Sequence, residues 1–355
     1  MPVPKATWLA ALLALGCGVA PPRVPPFAAG QAALDRQGGS LAILGDTRRT
    51  SFFERLLCRE DNSEKQPRLI SDLIEQDPAA LVLVGDLVFD GGSNADWQFF
   101  DGLFAKFPRT TPVLPMWGNH EYWRFSSERS TEAQLAARFT GMDDRRYYSR
   151  QLGHFGLVML DSNLFLSPRQ RVKGLKLAKL RRRGQKRATD LEQYYAERWE
   201  AQKRFFEAEL ARFEADPSVN QVFVFSHHPV YSLGRWGRPE PHLQELVKAF
   251  LSHGKARAWF SGHAHGYERF GLQDGEQGAR GDKAFVVTAG GGGPRPDTLE
   301  LRDSPLAPAR SGERPLNYVL ATEQAESVVL VVRGLLGEKH PGELERVTLN
   351  SPRID

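Results

Sequence analysis

The chain has 355 residues, of which 41% are hydrophobic and 25% are charged, and it carries a net charge of +4. A chain of this length can bury a sizeable core, as one large or two small domains. The composition is that of a soluble globular protein, which excludes a mainly disordered chain.

The first 39 residues have the pattern of an export signal followed by a tether. Lys5 precedes an apolar stretch, residues 8–15, that is too short to span a bilayer. The ending Ala14-Leu15-Gly16-Cys17 resembles a bacterial lipoprotein cleavage box, so residues 1–17 are interpreted as a signal peptide with Cys17 lipidated; a plain secretory signal is the alternative. Residues 18–39, rich in Pro, Ala and Gly, predict a flexible tether. We therefore expect an exported protein, lipid-anchored at the bacterial cell envelope or otherwise periplasmic or secreted.

Cys58 is the second of the two cysteines in the chain. If Cys17 is lipidated, no intrachain disulfide can form. Cys58 lies in an apolar run after Phe52 and Phe53, which predicts a buried structural thiol.

The next part of the chain alternates between strand and helix patterns. Apolar runs predict strands at residues 40–44, 79–84 and 112–117, and helical spacing predicts helices at 50–57, 67–75 and 95–107. Polar residues follow each strand, as Gly45-Asp46, Gly85-Asp86 and Gly118-Asn119-His120-Glu121. In open α/β sheets, functional sites collect at these strand ends.

The second half continues this pattern and then changes. Strands are predicted at 147–151, 155–160, 221–225 and 256–260, and helices at 191–213 and 241–252. The alternation then stops, and strands at 284–288, 318–321 and 327–332 predict a second, mostly antiparallel sheet. The expected fold class is α/β: a four-layer α/β/β/α sandwich of two mixed sheets flanked by helices, over residues 40–350.

The strand-end residues form an ordered set of potential metal ligands. His227 follows one strand, and His263 and His265 follow the next. Carboxylate, amide and imidazole groups suit divalent and trivalent cations. Taken singly, each residue has a structural alternative: Asp46 and Asp86 could be helix N-caps, and His227 a hydrogen-bonded core histidine. Taken together, in the order Asp, Asp, Asn-His, His, His-x-His, they predict a two-metal site.

This ordered set resembles that of the calcineurin-like metallophosphoesterases, on the purple acid phosphatase side of that superfamily. The resemblance runs from about residue 40 to residue 332. It implies two metal ions, divalent or mixed-valence Fe, Mn or Zn, with Asp86 as the bridge between them. The implied ligands of the first ion are Asp46, Asp86 and His265, and those of the second add Asn119, His227 and His263.

The resemblance also implies a mechanism. Two cations lower the pKa of a shared water and clamp the phosphoryl oxygens, so that hydroxide attacks phosphorus in line with the leaving oxygen. His120 occupies the family's proton-donor position and is expected to protonate that oxygen.

Two positions depart from the family pattern. Arg48 stands where many members have a metal-binding His, and Phe89 stands where purple acid phosphatases have a metal-binding Tyr. We therefore expect the first metal site to be weak, or to be completed by Asp90 or water, or to have Arg48 take over part of the role of a metal ion. Guanidinium cannot ligate a metal but binds phosphate oxygens in a fork, so Arg48 is predicted to point at the substrate phosphate.

The expected function is metal-dependent hydrolysis of a phosphorylated small-molecule or macromolecular substrate, with phosphomonoesters favoured. A phosphodiesterase or nucleotide hydrolase is the close alternative. A second alternative, motivated by the departures at Arg48 and Phe89, is a non-catalytic phosphate- or metal-binding protein on the same fold.

A basic insertion near residues 166–190 has ten Lys and Arg residues between positions 169 and 187. A solvated surface segment is one interpretation. Contact with an anionic membrane surface and a lid over the substrate site are the others. Aromatic residues are not interleaved with the charges, so specific nucleic acid binding is not expected.

Overall fold

The structure is a computed structural model that describes residues 25–27, 39–122, 128–139, 146–164, 185–234, 241–295, 308–310, 314–324, 326–335, 337 and 340–352. The predicted signal peptide, most of the predicted tether and nearly all of the basic insertion lie outside these residues. No helix in the described ranges is both long enough and apolar enough to span a membrane.

Six α-helices occur in the described part of the chain. They are α1 (Phe52–Leu56), α2 (Gln66–Glu75), α3 (Asn94–Leu103), α4 (Glu128–Arg138), α5 (Gln185–Ala215) and α6 (Pro241–Ser252).

The same residues form thirteen strands. They are β1 (Leu41–Leu44), β2 (Ala80–Leu83), β3 (Val113–Pro115), β4 (Tyr148–Leu152), β5 (Phe155–Leu160), β6 (Gln221–Ser226), β7 (Ala256–Ser261), β8 (Tyr267–Leu272), β9 (Lys283–Thr288), β10 (Pro308–Arg310), β11 (Leu316–Gln324), β12 (Ser327–Leu335) and β13 (Gly342–Asn350).

The strands make two mixed sheets. The first has six strands in the order β13-β12-β11-β1-β2-β3, and the second has seven in the order β10-β8-β9-β7-β6-β5-β4. Strands β1, β2 and β3 run parallel to one another, as do β5, β6, β7 and β9. The carboxyl ends of several parallel strands are thus available at one edge of each sheet.

Alternation along the strands places the layers. Leu41 and Ile43 of β1 pack in one apolar cluster with Phe223 and Phe225 of β6, which is the interface between the sheets. The intervening Ala42 of β1 belongs to a second cluster, which contains Leu69 and Leu73 of α2 and Trp97 and Phe100 of α3. Residues of α5 and α6 cover the other sheet in a third cluster. The predicted four-layer α/β/β/α sandwich is confirmed.

The division of strands between the sheets differs from the prediction. β11 and β12 do not form a separate antiparallel sheet, because β11 pairs antiparallel with β1 and extends the first sheet. β9 joins the second sheet parallel to β7. Helix α4 and strands β8, β10 and β13 were not predicted.

One residue of the predicted tether is buried, and one other expectation is corrected. Phe27, inside the predicted flexible tether, is 2% exposed, and its ring stacks on that of Phe139 at 5.5 Å. Cys58 is exposed rather than buried, because α1 turns the apolar run that contains it toward solvent.

Candidate metal centre

The turns after β1 and β2 bring two aspartates together. Asp46 and Asp86 both have positive φ angles, 59° and 51°, in the left-handed region that non-glycine residues rarely adopt. The turns are bonded to each other, since the Asp46 amide donates to the Gly85 carbonyl at 3.0 Å and the Arg48 amide donates to the Asp86 carbonyl at 3.1 Å. Strained backbone of this kind persists where the surrounding structure holds it, often at functional sites.

Neither aspartate caps a helix. The N-cap residue of α1 is Ser51, and that of α3 is Ser93. The structural alternative for Asp46 and Asp86 is therefore excluded.

The turn after β3 is fastened to the turn after β2 by Glu121, whose role the sequence did not suggest. The Glu121 carboxylate accepts hydrogen bonds from the backbone amides of Asp86 (2.9 Å), Leu87 (2.9 Å), Val88 (3.4 Å) and Gly118 (2.7 Å). Gly118 allows this close approach, because a Cβ there would lie 2.2 Å from both the amide nitrogen and Oδ1 of Asp86. Glu121 thereby fixes Asp86 relative to Asn119 and His120.

The histidines come from the second sheet. His227 follows β6, and His263 and His265 follow β7 with positive φ angles of 71° and 50°. Nδ1 of His227 lies 2.9 Å from the Val84 carbonyl oxygen, and Nδ1 of His265 lies 2.6 Å from that of Pro294. A carbonyl can only accept, so each Nδ1 carries the proton and each Nε2 is left as a ligand atom.

The ligand atoms form two groups that share one carboxylate. Within each group they lie within 4.8 Å of one another, and the groups are Asp46, Asp86 and His265, and Asp86, His227 and His263. Asn119 adjoins the second group, with its Oδ1 3.0 Å from His227 Nε2. The structure thus brings together all six residues that were predicted as ligands, in the two predicted sets.

The donor set fits two cations. Ligand bonds of about 2.0–2.2 Å place neighbouring ligand atoms about 3 Å or slightly more apart. His227 Nε2 lies 3.3 Å from Asp86 Oδ1, and His265 Nε2 lies 3.3 Å from Asp46 Oδ1. Asp46 and Asp86 are 0% and 1% exposed, and buried carboxylates require compensating positive charge.

A proton on His227 can supply part of the positive charge that compensates the buried carboxylates. Burial alone would lower the pKa of His227, but the Asp86 carboxylate raises it to about 9. Burial opposes ionisation of Asp86, yet His227 and His120 hold the pKa of that carboxyl well below its usual range. Burial and the neighbouring His227 lower the pKa of His263 to about 3, so His263 is neutral and available as a ligand.

A cavity of about 380 Å³ opens above the ligands, and His120 lies in its wall. His120 Nδ1 donates to the Phe89 carbonyl oxygen at 2.6 Å, and Nε2 lies 3.8 Å from Asp86 Oδ2. Burial lowers the pKa of His120 to about 3, so that the resting imidazole is neutral. The proton-donor role of His120 remains a prediction that this position allows.

Arg48 lines the same cavity but is already paired. Its two terminal nitrogens lie 3.1 and 3.0 Å from the two carboxylate oxygens of Glu54 in α1. The guanidinium carbon lies 5.6 Å from the centre of the Phe89 ring. Nε of Arg48 is buried and has no hydrogen-bond partner among the described residues. Arg48 therefore lines the cavity while bonded to Glu54, and its contact with a substrate phosphate stays a prediction.

Among the described residues, neither Arg48 nor Phe89 adds a ligand to the first metal site. Phe89 has no side-chain oxygen that could bind a metal, and its carbonyl oxygen accepts a hydrogen bond from His120. Asp90 accepts a hydrogen bond from the Gly92 amide and belongs to neither ligand group found in the described residues. Completion of the first site by Asp90 is thus not supported by its position.

Two adjacent cation sites that share a carboxylate, at the strand ends of a two-sheet sandwich, are the arrangement of a binuclear metallohydrolase. The model of the calcineurin-like phosphoesterase family matches residues 39–267, which is more than half of the chain. The chain belongs to the calcineurin-like phosphoesterase family, and it is a metallophosphoesterase.

Solved structures support the fold assignment. A purple acid phosphatase, PPD1, from yellow lupin (Lupinus luteus) seeds superposes with a TM-score of 0.61 at 17% identity, over 89% of this chain and 54% of the lupin chain. This chain thus spans about half of the lupin protein's length. GAP50 of Plasmodium, described as the anchor in the inner membrane complex, gives a TM-score of 0.59 at 12% identity, over 90% of each chain.

A dimetal phosphatase from Danio rerio gives a TM-score of 0.56 at 15% identity, over 88% of this chain and 99% of the other. At these identities the similarity shows the fold alone. No curated protein matches the sequence.

Proposed function

We propose that this metallophosphoesterase hydrolyses phosphomonoesters, with His120 as the proton donor to the leaving alcohol. The observation that carries the proposal is the common cavity: the shared carboxylate Asp86, the imidazole of His120 and the guanidinium of Arg48 all line it. A monoester phosphate carries up to two negative charges and three non-bridging oxygens, so it benefits more than a diester from several positive groups around one pocket.

Asp46, Asp86, His265, Asn119, His227 and His263 would hold two cations. When bound, such cations lower the pKa of a water molecule and neutralise charge on the phosphoryl oxygens. In the hydrolysis a water oxygen forms a bond to phosphorus, the bond from phosphorus to the ester oxygen breaks, and that oxygen needs a proton.

We propose that Nε2 of His120 supplies this proton, because Nδ1–H is engaged by the Phe89 carbonyl oxygen. Its pKa of about 3 in the free protein reflects burial first, with a further lowering by Arg48. A phosphate dianion in the cavity acts in the opposite direction and favours the imidazolium. The imidazolium, which carries a proton on both ring nitrogens, is the form of His120 that can donate from Nε2.

The test is turnover by dialysed protein supplied with Mn²⁺, Zn²⁺ or Fe²⁺. We expect kcat/KM for 4-nitrophenyl phosphate to exceed that for bis(4-nitrophenyl) phosphate by at least about tenfold, since the diester loses one charge and one free oxygen. Preference for the diester would favour the phosphodiesterase alternative. No hydrolysis with any ion, together with tight binding of inorganic phosphate, would favour the non-catalytic binding protein.

We also propose that the protein is exported and lipid-anchored through Cys17. The support is the sequence of residues 1–17 alone. Mass spectrometry of the protein from membranes of a bacterial host tests this proposal. The expected result is a diacylated N-terminal peptide that begins at Cys17 and is lost in Cys17→Ser, whereas an unmodified N-terminus elsewhere would contradict it.

A further inference from the structure

Helix α1 presents its apolar side to solvent. Phe52 and Phe53 lie three or four residues before Leu56 and the C-cap residue Leu57, as the pairs 52/56, 53/56 and 53/57, and the four form one stripe. They are 70%, 68%, 65% and 71% exposed, in chain order. A surface helix normally turns such a stripe toward the core. Tyr194 is the one other large apolar side chain with comparable exposure in the described part of the chain.

The helix is held in this orientation by its polar residue. Glu54 bonds both terminal nitrogens of Arg48, and it also accepts from the amide and hydroxyl of Ser51 at 2.9 and 2.8 Å. Ser51 Oγ in turn accepts from the Glu54 amide, which completes a capping box. Charge-assisted hydrogen bonds thus fix the side of α1 that faces the protein. The apolar stripe is therefore exposed on an ordered helix.

The stripe is continuous with the metal centre. Phe53 and Leu57 line the same 380 Å³ cavity as Asp86, His120 and His263. The cavity is therefore lined on one side by predicted metal ligands and His120, and on the α1 side by Phe53 and Leu57. The polar residues Ser51, Glu54, Arg48 and Arg59 line it as well. Side chains of Phe and Leu offer no hydrogen bonds to the hydroxyl groups of a sugar or a polyol.

We propose that the cavity binds phosphate monoesters whose alcohol carries an extended apolar chain, with the phosphate at the metal ligands and the chain along Phe53 and Leu57. This inference rests on the proposed phosphomonoesterase function and specifies its substrate class. The phosphate fixes one end of the substrate at the predicted metal ligands, so the organic part is directed to the rest of the cavity lining. Phe53 and Leu57 can remove apolar surface of a substrate from water, and they offer no hydrogen bonds to polar groups placed against them.

The test is the dependence of kcat/KM on chain length for straight-chain alkyl phosphates, from ethyl to hexyl, below their micellar concentrations. Glycerol 2-phosphate is the polar reference. Each methylene transferred onto an apolar surface raises kcat/KM by up to about fourfold. We expect the ratio of hexyl to ethyl phosphate to be at least about 30 in the wild-type protein.

The double variant Phe53→Ser with Leu57→Ser should reduce this ratio at least about tenfold. The matched control is Phe52→Ser with Leu56→Ser, which makes the same changes on the same helix outside the cavity lining and should alter the ratio less than about threefold. All four side chains are exposed, so neither variant removes core packing.

Each outcome separates the inference from the proposed function. If glycerol 2-phosphate is hydrolysed but kcat/KM is flat across the alkyl series, the inference is wrong and the proposed function stands. If no monoester is hydrolysed, the proposed function itself fails. If the serine variants abolish a wild-type dimer in sedimentation without changing the chain-length dependence, the stripe binds a second copy of the chain instead.

Discussion

The strand ends of the metal centre and helix α1 face one cavity, but they place their side chains in opposite ways. On the strand-end side, polar residues such as Asp46 and His227 are fully buried. On the helix side, apolar residues such as Phe53 and Leu57 are about 70% exposed. Both placements are unfavourable by themselves, because buried charge loses hydration and exposed apolar surface orders water.

On each side of the cavity, one glutamate holds these side chains in place, and the sequence did not predict this role for either glutamate. Glu121 accepts hydrogen bonds from four backbone amides and ties the turns after β2 and β3 together. Glu54 accepts Arg48 and Ser51 and fixes the direction of α1. The residues predicted to bind metal or substrate are thus different from the two glutamates that hold buried polar and exposed apolar side chains in place. Separate substitutions of each kind distinguish their contributions.

Asp86→Ala should have the largest effect, because it removes the carboxylate that both ligand groups share. We expect loss of both metals by elemental analysis. Turnover of 4-nitrophenyl phosphate should fall well beyond the roughly 10–100-fold typical for residues that only orient a ligand. Retention of two metals per chain with normal turnover would show that Asp86 is not the bridge. Asp90→Ala, a nearby carboxylate outside both groups, is the control and should keep the metal content.

His120→Gln tests a group that acts on the substrate rather than on the metals. General acid catalysis contributes roughly 10²–10⁴-fold, and mainly where the leaving group is a poor one. We expect kcat for ethyl phosphate to fall about 100-fold. The kcat for 4-nitrophenyl phosphate should fall less than about tenfold, because nitrophenolate leaves without a proton.

The metal content of His120→Gln should be unchanged, since His120 belongs to neither ligand group found in the described residues. Equal losses with both substrates would mean that His120 binds phosphate and does not donate a proton.

The strand-end ligands could be predicted because parallel strands deliver their carboxyl ends to a common edge, so short motifs far apart in sequence become neighbours. Glu121 could not be assigned, because most of its partners are amides 33 to 35 residues away. A glutamate beside a histidine also has no distinctive sequence pattern.

The sequence also could not predict which side of α1 faces solvent. Helical spacing reveals that Phe52, Phe53 and Leu56 share a face, but it does not say which way that face points. Burial of Cys58 was inferred from the same spacing and was wrong for this reason. The pairing of β11 with β1 was missed because it joins residues nearly 280 positions apart, and no local signal specifies such a contact.

Glu121→Ala should reduce stability more than activity at saturating metal. Four backbone amides would lose their acceptor, and each buried unsatisfied donor costs about 1–3 kcal/mol. We expect a total loss of roughly 3 kcal/mol or more in the free energy of unfolding by denaturant titration. Glu132→Ala, which removes a half-exposed side chain of α4, should change it by less than about 0.5 kcal/mol. A Glu121→Ala protein as stable as the wild type would show that water replaces the carboxylate.

The smallest effect concerns the fastening of α1 and depends on pH. Burial alone would raise the pKa of Glu54, but the bonds from Arg48 and Ser51 lower it from 4.5 to about 2. A carboxyl with a lowered folded-state pKa stabilises the fold fully above its unfolded value and loses this contribution as the pH falls through its folded value. The Glu54 contribution should therefore be complete above pH 4.5 and disappear toward pH 2.

Glu54→Gln measures this contribution, which we expect to be on the order of 1–2 kcal/mol after solvent screening. The difference in melting temperature between wild type and Glu54→Gln should be largest near pH 6 and should close as the pH approaches 2. Glu343→Gln breaks an ion pair of similar geometry with Arg346 on the exposed surface of β13 and should show no measurable difference at any pH. If Glu54→Gln behaves like Glu343→Gln, the Arg48 pair does not hold α1. The placement of Phe53 and Leu57 in the cavity lining would then depend on contacts of α1 other than this pair.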